Sequence, residues 1–456
     1  MASESDKKLY HLEGLIIEGD ASSLKSLLDS WPSEEVGYIA AHLSEPDFIR
    51  LAELLASSFP ETSAELFERL PDTRSADLLG RLETELASQV LSSLPSNDRA
   101  DLLQSMPQQN ADQILHSLAP SEAERIKDLI AYEESSAGGL MINEYIAHNS
   151  ERLVRDVIND LRHHASEYAK FDVQYMYVTD ARARLEGVVR LRDLLLTPDD
   201  KTLGSIMIPA PARVCVLDSQ EHLESFFDTH HFFAAPVVTE EGVLVGVVRR
   251  AAVEEARAEQ ADRTLLAFGG IIGGEELRAM PTKQRIARRL AFLCPNILLN
   301  LLAASIIALY EPTIAAVTAL AIFLPMLSDM SGCAGNQSVA VSIRELTLGI
   351  IKPQDFLLAL KKEAAIGIAN GLVLGALIGG IAWYMRGDEY PLIGAVVGGA
   401  MCLNSVVAVG IGATVPLLLK KTGVDPALAA SPILTTFTDM CGFFLTLSLA
   451  TIFLLH

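Results

Sequence analysis

Long apolar segments follow one another through the last third of this chain, and they constrain its fold more than any other feature. They cover Leu290–Leu309, Thr313–Ser328, Ala364–Met385, Leu392–Leu419 and Ala427–Leu455. Crossing about 30 Å of hydrocarbon takes about 20 residues, so the chain reads as an integral membrane protein with five spans. The second segment is short and must run on through the small and polar stretch SDMSGCAGNQSVAVS to reach that length. Lys283, Arg285, Arg288 and Arg289 precede the first span, Arg344, Lys352, Lys361 and Lys362 follow the second, and Lys420 and Lys421 follow the fourth. The opposite loops hold Glu311, Arg386, Asp388 and Glu389. The positive-inside rule then places the N-terminus in the cytoplasm and the C-terminus outside. The N-terminal residues show no apolar run of the signal-peptide kind, which makes the inner membrane the expected location.

Charge separates the two parts. Residues from Ala291 to His456 hold 9 of the 58 acidic and 7 of the 36 basic residues, so nearly all of the net charge of −22 lies on the first 290 residues. An acidic soluble part argues against nucleic acid as a partner; it can concentrate cations near a membrane surface, though the acidity alone is explained as readily by solubility. The cysteines, Cys215, Cys294, Cys333, Cys402 and Cys441, are far apart and form no zinc or disulfide framework. With no nucleophile–base pair, metal-ligand spacing or phosphate loop, an enzyme is not expected.

The soluble part has two regions. LFERLPDTRSADLLGRLETELASQ begins at Leu66, VLSSLPSNDRADLLQSMPQQNADQ at Val90, and ILHSLAPSEAERIKDLI at Ile114, a repeat of 24 residues. Each unit reads as two short helices broken at proline, so residues 1–130 form a helical solenoid. Residues 131–262 change pattern. VQYMYVTD and LEGVVRLRDLLL are echoed by AAPVVTEEGVLVGVVRRAAVEEARAEQ, with matching G-V-V triplets at Gly187 and Gly246. That predicts a pair of α+β modules, followed by a connecting helix over 263–289 and the membrane domain over 290–456.

Asp439 lies deep in the fifth span with no Lys or Arg in that segment. A lone carboxylate in hydrocarbon is costly and is expected to face a partner or a wet cavity. Thr435, Thr436 and Thr438 are close by, able to hold water or to bond to the preceding turn of their own helix. Asn336 and Gln337 could line a pore or join helices. For Asn370 and Asn404 a packing role is expected. Mg2+ is held through water by one or two carboxylates, so a symmetric homodimer bringing two copies of Asp439 together would suit a divalent cation. An isolated Asp also suits a proton relay.

LEGVVRLRDLL and LVGVVRRAAVEEA resemble a pair of CBS modules. FLPMLSDMSGCAGNQSVAVSIREL, KKEAAIGIANGLVLG, GVDPALAASPILTTFTDMCGF and the stretch ESSAGGLM resemble the MgtE family of magnesium channels, and the likeness covers nearly the whole chain. The resemblance implies a homodimeric Mg2+ channel in the bilayer, gated by cytoplasmic domains that sense Mg2+. It implies Asp439 as the pore carboxylate and Asp425 as a residue that helps hold gating ions; Thr435, Asn336 and Asp329 are candidates beside Asp439 for holding the pore ion. It also implies a plug-like helix from about Glu275 to Arg289.

The sequence departs from the family in three places. Cys333 stands where an Asn helps hold the pore ion, beside the extra carboxylate Asp329, so another divalent cation such as Mn2+ or Co2+ is an alternative cargo. Arg249, Arg250, Ala251 and Ala252 stand where acidic sensor residues are usual. Glu255, Glu259 and Asp262 follow on one helical face, as a shifted sensor or a solvated surface. A non-conducting sensor is therefore the rival reading. CBS modules often bind adenine nucleotides such as ATP; Asp193 fits the expected Asp, while Arg190 replaces the expected hydroxyl residue.

Overall fold

Proline sets the rhythm of the N-terminal helices. The 24-residue repeat folds as helix pairs: Pro60–Glu68 with Asp72–Leu79, Thr84–Ser93 with Ser96–Ser105, and Gln108–Ser117 with Pro120–Ile130. A residue before proline is pushed out of the helical region, and Leu94 and Met106 are accordingly extended at ψ 156° before Pro95 and Pro107. In the third unit the proline shifts by one, and Pro120 enters the first turn of its helix instead of preceding it. Leu70, Leu94 and Leu118, equivalent in the repeat, all fall between helices and are buried in one core. Four further helices, Glu4–Glu18, Ala21–Asp29, Ser33–His42 and Glu45–Ala56, precede the repeat.

The computed structural model describes residues 4–168, 171, 174–272, 280 and 282–455. It divides into two units, Met1–Glu259 and Gln260–His456.

After the helices, the described residues of the first unit form eight strands: β1 Met141–Ile142, β2 Ile146–Asn149, β3 Tyr175–Thr179, β4 Leu185–Arg190, β5 Ile208–Pro209, β6 Val214–Cys215, β7 Ala234–Val238 and β8 Leu244–Arg249. They form two four-stranded sheets, ordered β2-β3-β4-β5 and β1-β8-β7-β6. β1 crosses to the second sheet and pairs antiparallel with β8, as β5 pairs with β4. The two G-V-V triplets share a cause. A Cβ on Gly187 would sit 2.5 Å from the sulfur of Met207, and one on Gly246 would sit 2.5 Å from the sulfur of Met141. The β3–β4 and β7–β8 turns clasp each other, with Leu185 N–H donating to Gly242 O at 3.0 Å and Leu244 N–H to Ala183 O at 2.9 Å.

Arg250, expected at a sensor position, is structural. Its guanidinium donates to the carbonyls of Phe232 (3.0 Å) and His230 (2.7 Å) and lies 5.2 Å above the Phe227 ring. Charged hydrogen bonds of this kind contribute about 1.5–3 kcal/mol. Arg250→Ala is therefore expected to destabilise the first unit by about 2 kcal/mol, read as a lower unfolding midpoint in denaturant.

The helix that leaves β8, α1 (Arg250–Phe268), begins before the expected boundary at residue 263. Residues 273–279 and 281 of the expected plug-like helix lie outside the described residues. Its remaining basic residues, Lys283 to Arg289, are the opening turns of α2 (Thr282–Leu309), continuous with the first span. The other long helices of the second unit are α3 (Leu320–Thr347), α4 (Phe356–Arg386), α5 (Ile393–Lys421) and α6 (Pro426–Leu454). By length and composition α2, α4, α5 and α6 are able to cross a membrane.

The expected second span, Thr313–Ser328, is not among these helices, so the described residues hold four helices able to cross a membrane where five spans were expected. The chain makes a short helix at Glu311–Ala316, breaks, and starts again as α3, whose 28 residues take in the whole small-polar stretch. That stretch is helical despite its composition. Half of α5's apolar window is buried against 6% of α2's, which makes α5 the centre of the bundle and α2 its edge.

Candidate ion site in the membrane unit

Asp439 meets α3 across the helix contact. Ser328 Oγ donates to Asp439 Oδ1 at 2.5 Å, so the carboxylate has a neutral partner from a second helix. The two helices run antiparallel here. Ser328 is level with Asp439, and Gly335 lies against Leu434, where an added Cβ would meet the leucine methyls at 2.8 Å. Thr435 lies about one turn from Asp439 along α6, and Asn336 about two turns from Ser328 along α3. Asn336 Oδ1 is buried without a hydrogen-bond partner.

The threonines bond to their own helix. Thr435 Oγ1 donates to the carbonyls of Ser431 and Pro432, both at 3.1 Å, Thr436 Oγ1 to Pro432 O at 2.8 Å and Thr438 Oγ1 to Thr435 O at 3.0 Å. A hydroxyl that donates its proton keeps its oxygen lone pairs, so Thr435 still presents an acceptor. Asp329, one residue beyond Ser328, points away from this contact and is exposed, as is Cys333 one turn later. The structure thus brings Asp439 together with Ser328, keeps Thr435 one turn away on the same helix, sets Asn336 two turns along α3, and leaves Asp329 on an exposed face. Among the described residues, no three His, Cys, Asp or Glu side chains gather as a metal would require.

Two more residues lie beside this site: Asn404, for which a packing role was expected, and Ser331, which was not singled out. Asn404 of α5 is wholly buried and donates to Ser331 Oγ at 2.7 Å and to Thr438 O at 3.1 Å. Ser331 lies one turn beyond Ser328. The spacing of Ser328 and Ser331, at i and i+3 on one helix, is the signal that marks a polar edge on α3.

The soluble candidates lie elsewhere. Glu255 and Glu259 are exposed on α1, as is Asp262 further along it. Asp98 and Asp101, on the helix Ser96–Ser105, are pushed up to about 7 and about 8 by burial and by surrounding carboxylates. Glu68 and Glu255 are among the acids that act on Asp98, and Asp72 and Glu259 among those that act on Asp101. Arg249 opposes this at Asp98 and Glu68, and its Nε is buried without a hydrogen-bond partner. Asp425 caps α6, its Oδ1 accepting from Ala427 N–H at 2.9 Å. Asp193 pairs with its neighbour Arg192 at 3.3 Å.

Known proteins show the same organisation. Residues 32–135 match the MgtE intracellular N domain, and residues 324–449 match the MgtE family, described as a divalent cation transporter. The magnesium transporter MgtE of Thermus thermophilus is 33% identical over 338 residues, 74% of each chain. That of Bacillus subtilis is 31% identical over 336 residues, 73% of each. A crystal structure of the soluble part of a magnesium transporter superposes with a TM-score of 0.50 at 25% identity, covering 57% of this chain and 100% of its own. The cytosolic domain of the Mg2+ channel MgtE, solved with ATP, gives 0.50 at 28% identity over 54% of this chain and 99% of its own. With a soluble helical domain, tandem βα modules and a helical membrane bundle in this order, and with that identity over three-quarters of its length, the chain belongs to the MgtE family of magnesium transporters.

Proposed function

We propose that this protein carries Mg2+ across the inner membrane through a path in which Asp439 is the charged ion-holding group. The observation that carries the reading is Asp439 itself: a carboxylate in an apolar helix whose hydrogen-bond partner among the described residues is the Ser328 hydroxyl. One carboxylate neutralises half of a divalent charge, and a hydrated Mg2+ is held through water by one or two. A second copy of the chain would supply the other half, which favours a homodimer with the path between copies. Thr435 and Asn336 would face the ion's water shell on one side of Asp439, and Asp329 would act from the exposed face of α3. The basic residues at the start of α2 and the ends of α3 and α5 favour a cytoplasmic N-terminus and an outward C-terminus. Expression in a bacterium lacking Mg2+ uptake should restore growth at low Mg2+; no rescue by a membrane-inserted protein would count against transport.

For gating, we propose that divalent cations bind between the helical domain and α1, where Glu68, Asp98 and Asp101 face Glu255 and Glu259. Asp262 and Asp425 belong to the second unit and are proposed as further gating residues in their own right. The charge arrangement has a pH consequence. The native carboxyls of Asp98 and Asp101 lie near 7 and 8, while an unfolded Asp lies near 3.9. Their stabilising contribution is therefore complete below about pH 4 and lost as pH rises through 7 and 8. Burial and the neighbouring Arg152 hold His148 low, so it costs stability only below its unfolded value near 6.5. Between pH 6.5 and 8.5 in chelator, the unfolding temperature of the soluble unit should fall by on the order of 5 °C. Mg2+ should restore it most at pH 8.5, and the Asp98→Asn, Asp101→Asn double variant should flatten both responses. The soluble relative solved with ATP motivates a nucleotide reading as well, in which Asp193 would have to exchange Arg192 for the ligand.

A further inference from the structure

Asn404 is an expensive residue for the place it occupies. It is wholly buried at the centre of the apolar bundle, and among the described residues its Oδ1 has no hydrogen-bond partner. An unpaired amide oxygen in such surroundings is costly, and a leucine would fill the space without that cost. The amide orientation is fixed by its contacts: Thr438 O can only accept, so the nitrogen must face it. Both N–H groups are then used, one on Ser331 Oγ of α3 and one on Thr438 O of α6. Ser331 passes its own proton to the carbonyl of Leu327 at 2.5 Å. Gly442, one turn beyond Thr438, makes room, since a Cβ there would sit 2.7 Å from Asn404 Nδ2.

The two anchors flank the ion site. Thr438 immediately precedes Asp439, and Ser331 lies one turn from Ser328, the hydroxyl that reaches Asp439. We infer that Asn404 is a positioning residue for the ion site: from α5 it ties the Ser328 turn of α3 to the Asp439 turn of α6 and fixes the separation at which that pair meets. The inference rests on the reading of Asp439 as the ion-holding group. Without the tie, Ser328 and Asp439 drift apart and the carboxylate loses its set orientation toward the ion.

The test is Mg2+ flux into proteoliposomes across a range of Mg2+ concentrations, for the full-length wild type, Asn404→Leu, Ser331→Ala, the double variant and Asp439→Asn. Asn404→Leu is expected to raise the concentration for half-maximal flux roughly 10- to 100-fold, the scale on which small misplacements act. Ser331→Ala removes one anchor and should shift it in the same direction by less. The double variant should be no worse than Asn404→Leu alone, because both act through one contact. A purely structural role would instead lower the amount of folded protein and leave half-saturation unchanged; that result overturns the inference. If Asn404→Leu does not fold, Ser331→Ala carries the test, and wild-type half-saturation there overturns it equally. Wild-type flux in Asp439→Asn would sink the underlying reading; loss of flux there, with Asn404→Leu and Ser331→Ala normal, sinks only this inference.

Discussion

Asp439→Asn is expected to lower Mg2+ flux by about 100-fold, equivalent to about 2.7 kcal/mol, without loss of folded protein. The substitution keeps the shape of the side chain and an acceptor for Ser328 Oγ, which donates to Asp439 Oδ1 at 2.5 Å. It removes only the charge. Water and neutral dipoles remain, but a divalent ion entering hydrocarbon has lost its counter-charge. Asp439→Glu keeps the charge and displaces it by a methylene, so it should retain part of the flux. Flux assays on vesicles matched for protein content check both. An Asn variant as active as the wild type would remove Asp439 from the path.

The second large effect concerns the scaffold. Gly367, Gly371, Gly375 and Gly379 recur every four residues on α4 and face α5. A Cβ on Gly375 would sit 2.6 Å from Gly398 O, and one on Gly379 would sit 2.6 Å from Gly394 O. The obstructing atoms are backbone, so no side chain can turn aside, and the helices would have to separate. Small residues that let backbones approach are the usual means of association where lipid is as apolar as the protein. Gly375→Leu should therefore abolish the monodisperse folded species, and Gly375→Ala should cost about 1–3 kcal/mol. Gly380 and Gly399 have open space around them, so alanine at either should behave as wild type. Size-exclusion profiles after a heat step compare the four variants directly.

These two cases show what a sequence can carry. The apolar segments give away α2, α4, α5 and α6 because hydropathy over 20 residues is a sum, insensitive to detail. The proline rhythm gives the repeat because a proline acts on its immediate neighbour. Asp439 stands out because a charge in hydrocarbon is conspicuous in any window. Its surroundings are harder to read. Thr435, Thr436 and Thr438 look alike in the sequence, and only the helix geometry shows all three bonding to the preceding turn. Asn404 is 35 residues from Asp439 along the chain, and its importance lies in a three-helix contact that has no local signature. Likewise α1 starts at Arg250 because β8 ends there, while composition alone suggested a break further on. Arg250 looked like a lost sensor residue and proves to be a clasp on the loop before β7.

The central claim, that this bundle passes Mg2+, is tested most directly by purified wild-type protein in liposomes loaded with a Mg2+-sensitive dye. The account predicts a saturable rise in internal Mg2+ when Mg2+ is added outside, absent from empty liposomes and from vesicles carrying Asp439→Asn. No rise with correctly inserted wild-type protein, over Mg2+ concentrations that span occupied and empty soluble domains, would contradict it.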